Sequence, residues 1–239
     1  MTPPVWVAEL AGRFWAAAGP PPPFPRDLMA ATTAGLPVRV VDLAALSLDG
    51  VRGWLARCGV PCPGDEPDRP LRACLFTWAG GGFVFLDRAD PADERRFSLA
   101  HEVAHFLRDY NAPRRRAAAR LGPDVLAVFD GRRRATHEER VGAVLRGLAV
   151  GPHVHLLHRD TDGAPHGPVE RAAEDAADRL AFELLAPAGL LADEPGARAT
   201  ARRLRAEFGL PDGAALAYAA ALFPVPPTDP VVGRLTQFR

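Results

Sequence analysis

The chain has 239 residues, with 29 basic and 29 acidic side chains and a formal net charge of zero. About 48% of the residues are hydrophobic and 24% are charged, as in an ordinary globular protein. That balance argues against a strongly basic nucleic-acid binder, and the length suits one domain with small additions.

No run approaches the roughly 18 apolar residues that a membrane-spanning helix needs. The first 25 residues lack the basic start and apolar stretch of a secretory signal. Cys58, Cys62 and Cys74 are too few, and odd in number, for a disulfide framework. Together these features predict a reducing, cytoplasmic setting with no membrane partner.

In chain order, Val5 to Ala18 carries apolar residues at helical spacing and stops at Pro20-Pro21-Pro22-Pro23, a stiff connector. Leu36 to Val41 reads as a short strand, and Leu43 to Cys58 as a helix interrupted by an Asp49-Gly50 turn. Pro61 to Pro70 is a polar loop. Leu71–Trp78 and Phe83–Leu86 flank Ala79-Gly80-Gly81-Gly82 in a hairpin pattern. The glycines have neither the Lys nor the following capped helix of a phosphate-binding loop. Asp90 as cap and Pro91 in the first turn then open a helix running to about Tyr110. Arg114 to Leu121 is a basic helix candidate, and Thr136 with Glu139 has the capping-box spacing for a helix to about Leu148. Val154 to Leu157 reads as a strand, Pro168 to Leu185 as a strong helix, and Ala197–Phe208 with Asp212–Leu222 as a helical pair before an irregular tail. A few strands followed mostly by helices argue for an α+β fold, mostly helical, with a small antiparallel sheet or hairpin.

One constellation carries chemistry: His101-Glu102-Val103-Ala104-His105. Histidines four apart project from one face of a helix, so both imidazoles can reach one metal ion. Glu102 can then serve as general base to a metal-bound water, the H-E-x-x-H arrangement of zinc hydrolases. A third ligand is needed. Six residues after His105 stands Asn111, which excludes the metzincin extension. Asp109 lies on the same helix. Glu174 lies among Ala173, Ala177 and Ala181 on a helix able to approach closely, with Glu170 and Asp178 on nearly the same stripe. Spacing leaves these alternatives open. Tyr110 and His155 are candidates to stabilise an oxyanion, with nothing to separate them. His153 and His155 share one side of a strand, where they could bind metal or line the cleft, but a lone strand with histidines reads first as partly exposed surface. The runs Arg114-Arg115-Arg116 and Arg132-Arg133-Arg134 read as solvated faces.

The run Arg95-Arg96-Phe97-Ser98-Leu99-Ala100-His101-Glu102-Val103-Ala104-His105 resembles the signature R-R-F-T-L-A-H-E-L-G-H of the ImmA/IrrE metallopeptidases. A second run, Glu174 to Pro187, resembles that family's E-x-x-A-[ND]-x-F-A-x-x-L-L-x-P, with Leu180 in place of Phe. The resemblance spans about Leu36 to Pro187. It implies a zinc-dependent endopeptidase with a gluzincin-like site, ligands His101, His105 and Glu174, and Glu102 as base. Asp178 falls on the family's Asn/Asp position, where it could orient a ligand histidine. The resemblance also implies a protein substrate, a helix-turn-helix repressor of the Cro/cI type, and a role in transcription regulation or stress response. Two histidines and a carboxylate suit Mn²⁺ or Fe²⁺ as well as Zn²⁺.

The expected organisation is an N-terminal helix and Pro-rich connector (1–35), a metallopeptidase-like core (36–195) and a C-terminal helical pair with tail (196–239). His105 and Glu174 are separated by 68 residues, longer than a compact member requires, so an insertion is placed at about 113–167. The arginines of the C-terminal pair (Arg198, Arg202, Arg203, Arg205) keep direct nucleic-acid contact as a minor option. The other class of function is a metal-bound regulator that binds a repressor or nucleic acid without cutting it.

Overall fold

A computed structural model describes residues 2–62, 66–130, 132–145, 154–158 and 167–224. In chain order the elements are α1 (Val5–Ala18), α2 (Leu28–Gly35), β1 (Val38–Leu43), α3 (Leu48–Arg57), β2 (Leu71–Trp78), β3 (Gly81–Asp87) and α4 (Ala92–His105). A π-helical turn (Phe106–Asn111) leads without a break into α5 (Ala112–Leu121). Then follow α6 (Leu126–Phe129), α7 (His137–Leu145), β4 (Val154–His158), α8 (Pro168–Leu185), α9 (Ala197–Ala206) and α10 (Asp212–Leu222). The fold is α+β.

The sheet is wider than the expected hairpin and is mixed. Its order is β1-β3-β2-β4, with β1 parallel to β3 and the other pairs antiparallel. Ala79 (φ 52°) and Gly80 (φ 87°) make the two-residue turn between β2 and β3, and both take the positive φ that such a hairpin demands. Gly81 and Gly82 belong to β3, where the Gly82 N–H donates to the Pro37 carbonyl at 3.0 Å and ties the hairpin to β1.

Both sheet faces are covered, which is why β2 reads as an almost unbroken apolar run. Strand alternation sends Ala73, Leu75, Val84 and Leu86 to one side, where they join Leu99, Ala100 and Val103 of α4. Cys74, Phe76 and Phe85 point to the other side, against Val51 and Leu55 of α3. Helix α8 packs along α4, and α1 packs against both α2 and α8. The core thus grips α4 from the sheet and from α8, and the chemistry-bearing helix is almost wholly internal from Ser98 onward.

Two local expectations are corrected. Asp49-Gly50 is not a turn. Ser47 caps α3 by accepting from the Gly50 N–H at 3.2 Å, so both residues lie in the first helical turn. Asp90 does not cap α4; Pro91 occupies the capping position without a side-chain bond, and Asp93 and Glu94 supply negative charge to the first turn. Helix α2 was not anticipated. The expected capping box is present: the Thr136 N–H donates to Glu139 at 2.8 Å and the Glu139 N–H donates to Thr136 Oγ1 at 3.2 Å. Cys58, Cys62 and Cys74 are free thiols. No helix among the described residues is long and apolar enough to cross a membrane. The tail from 225 and His153 lie outside the described residues.

Candidate metal centre

The start of α4 is structural. Arg95 pairs with Asp42 of β1 at 2.7 Å, and Arg96 donates to the Gly209 carbonyl at 2.8 Å, between α9 and α10. Phe97 packs on Phe182 of α8, with ring centroids 5.4 Å apart. These contacts fix the axial position and rotation of α4, and hence where His101 and His105 point.

Both imidazoles are buried and turn their Nε2 atoms toward each other, 3.1 Å apart. Glu174 of α8 completes the group: Oε2 lies 3.1 Å from His101 Nε2, and Oε1 lies 3.5 Å from His105 Nε2. The Glu174 side chain keeps 28% of its surface exposed, so the centre has one side open to solvent. The opposite nitrogens are engaged as donors. His101 Nδ1 donates to Asp178 at 2.8 Å, and His105 Nδ1 donates to Asp109 at 2.7 Å. Asp109 is in turn held by Arg108 Nε at 2.6 Å, and the same guanidinium donates to the Ala173 carbonyl, next to Glu174. The π-helical turn therefore supplies both the partner of His105 and a strut to α8, in keeping with where such turns tend to occur. Asp109, a candidate ligand by spacing, is instead a partner of a candidate ligand.

This donor set fits a divalent cation. With both Nδ1 atoms donating, each Nε2 carries a lone pair, and two lone pairs with a carboxylate face one point. Zinc bonds of 2.0–2.1 Å in a tetrahedron leave ligand atoms about 3.3 Å apart, and the observed separations run from 3.1 to 3.5 Å. Without a cation the surrounding carboxylates favour protons on the imidazoles instead. Burial alone would lower the His101 imidazole, but Asp178, Glu174 and Glu102 outweigh it and bring it up to about 9. Glu174 moves the other way: burial opposes its charge, yet the three surrounding imidazoles hold it far below the usual carboxylate range. Cation binding must therefore displace protons.

Glu102 is fully buried and lies beside this group. Both of its oxygens accept from His155 Nδ1, at 2.9 and 3.1 Å. Burial disfavours its charge, but His155 and the other imidazoles hold it below its ordinary value.

Here the surface reading of His155 is overturned. In β4, His155 pairs with Leu75 and Leu156 pairs with Cys74. Residues directly opposite across a pair share a face, so Leu156 joins the α3 side and His155 shares the α4 side with Leu75. His155 stacks on His105 with centroids 3.7 Å apart, and its Nε2 lies 3.2 Å from Glu174 Oε1. The ligand atoms of His101, His105, His155 and Glu174 all lie within 4.8 Å of one another. Only the spacing His153-x-His155 in a strand hinted at this, and the facing direction depended on a register the sequence does not state. Tyr110 is elsewhere. Its hydroxyl donates to Asp130 at 3.2 Å and accepts from the Gly80 N–H at 3.1 Å, bracing the hairpin turn.

Comparison with known proteins agrees with this geometry. Residues 69–124 match the Peptidase_M78 family model, described as the IrrE N-terminal-like domain. Over that stretch the chain is similar to the IrrE N-terminal-like domain of the ImmA/IrrE metallopeptidases. No curated protein and no solved structure matches it. The matched stretch of the IrrE-type domain runs from β2 through α5 and contains the H-E-x-x-H pair, whereas Glu174 and His155 lie beyond it.

The arginine runs divide. Arg115, Arg116, Arg132, Arg133 and Arg134 are exposed, as expected of a solvated face. Arg114 is not part of that face: it bonds Asp130 through Nε at 2.8 Å, beside Tyr110. On α9, Arg203 pairs with Glu194 and Glu207, and Arg205 with Asp212, which consumes much of that helix's positive charge.

Proposed function

We propose that this chain is a zinc-dependent endopeptidase acting in the cytoplasm on a helix-turn-helix repressor of the Cro/cI type, and so in transcription regulation under stress. His101, His105 and Glu174 would hold the metal, Zn²⁺ in the first place, with Mn²⁺ or Fe²⁺ also suited by two nitrogens and a carboxylate. The observation that carries the reading is the convergence of these three donors from α4 and α8 beside a buried glutamate.

When bound, the metal polarises the scissile carbonyl and lowers the pKa of water. Glu102 takes the proton of the attacking water at a carboxylate oxygen and returns it to the leaving amine nitrogen. Asp178 and Asp109 hold His101 and His105 in the tautomer whose Nε2 is unprotonated. The core of about 36–195 would carry this chemistry, with 1–35 and 196–239 as additions around it.

The test is direct. The zinc-loaded chain should fragment a purified Cro/cI-type repressor, stop after chelation, and resume when zinc is restored. A repressor left whole under all three conditions, yet still bound by the chain, would favour a non-cleaving regulator.

A further inference from the structure

We infer that His155 is a fourth protein donor to the same cation, so that in the resting protein the centre is closed by protein rather than completed by water. The inference rests on the metal-centre reading above and extends it to β4. Three observations carry it. First, register sends His155 inward to α4, not outward to solvent. Second, its Nε2 stands 3.2 Å from Glu174 Oε1, within the same range of separations as the other donors. Third, all three histidines repeat one arrangement. Each spends Nδ1 on a carboxylate of its own (Asp178, Asp109 and Glu102) and turns Nε2 to the common point. That carboxylate–histidine arrangement is how ligand imidazoles are oriented around metals.

The consequence falls on Glu102. In the resting arrangement it is occupied in orienting His155, so His155 must leave both the centre and Glu102 before that carboxylate can serve a water. Among the described residues the histidine rides on the edge strand of the sheet, bonded only to β2, where an incoming peptide displaces it without unmaking the core.

The test uses the whole chain with one equivalent of zinc, read by X-ray absorption. Three imidazoles per zinc are expected in the wild type and two in His155→Ala. Competition with a chelator should show the variant holding zinc at least about tenfold more weakly, since even indirect partners of a ligand are worth that much. Two imidazoles in the wild type, three in the variant, or equal zinc affinity would each overturn the proposal. If His155→Ala fails to fold, the wild-type count alone decides. None of these readouts depends on cleavage, so loss of the peptidase reading would appear separately, as a zinc-loaded chain that leaves every protein substrate whole.

Discussion

Asp178→Ala is expected to weaken metal binding without removing a ligand. Asp178 accepts from His101 Nδ1 at 2.8 Å, and the His101 side chain is only 4% exposed. Without that acceptor the buried ring keeps an unpaired N–H or shifts its proton to Nε2, where it would face the cation. Loss of such a partner typically costs about 10- to 100-fold in metal affinity, or about 1.4 to 2.8 kcal/mol. Asp178→Asn keeps an acceptor oxygen but not the charge, so its effect should be smaller. The assay is competition for zinc between each variant and a coloured chelator. An Asp178→Ala chain that binds within about twofold of wild type would refute the claim that α8 orients His101 as well as supplying Glu174.

Chelation should lower thermal stability. At a free zinc concentration of about 1,000 times Kd, binding adds about 4 kcal/mol, which for a chain of this size is a Tm change of about 8 to 16 °C. Calorimetry before and after chelation measures it, and an unchanged Tm would mean the donor cluster binds nothing. Gly81→Ala should destabilise the fold with the metal ligands intact, because the added methyl would run into the Pro37 carbonyl oxygen. The expected cost is about 1 to 3 kcal/mol, seen as a Tm lower by about 2 to 12 °C; a wild-type Tm would show that β1 and β3 can separate there freely.

Much of the centre was legible because its parts are local. Two histidines four apart need only one helix, and the capping box at Thr136 and Glu139 needs only one turn. Glu174 lay among three alanines and within a second signature, but its distance from His101 depends on α4 and α8 meeting, which spacing alone left open beside Glu170 and Asp178. What stayed hidden was tertiary. Helix α2 is a short run of small residues whose start is marked by Asp27, which accepts from the N–H groups of Met29 and Ala30. Asp49-Gly50 resembles a turn in sequence because the cap that starts the helix, Ser47, stands two residues before Asp49. His155 was read as surface because the face of an edge strand is set by the register of its neighbour, here Leu75 opposite His155.

The central claim is that Glu102 performs the proton transfers of a peptide hydrolysis at this centre, and Glu102→Gln tests it most directly. The account predicts a folded chain that carries zinc at wild-type stoichiometry while its cleavage of a Cro/cI-type repressor falls by about 100-fold or more. A zinc-loaded Glu102→Gln protein that still cuts the repressor at the wild-type rate would contradict it.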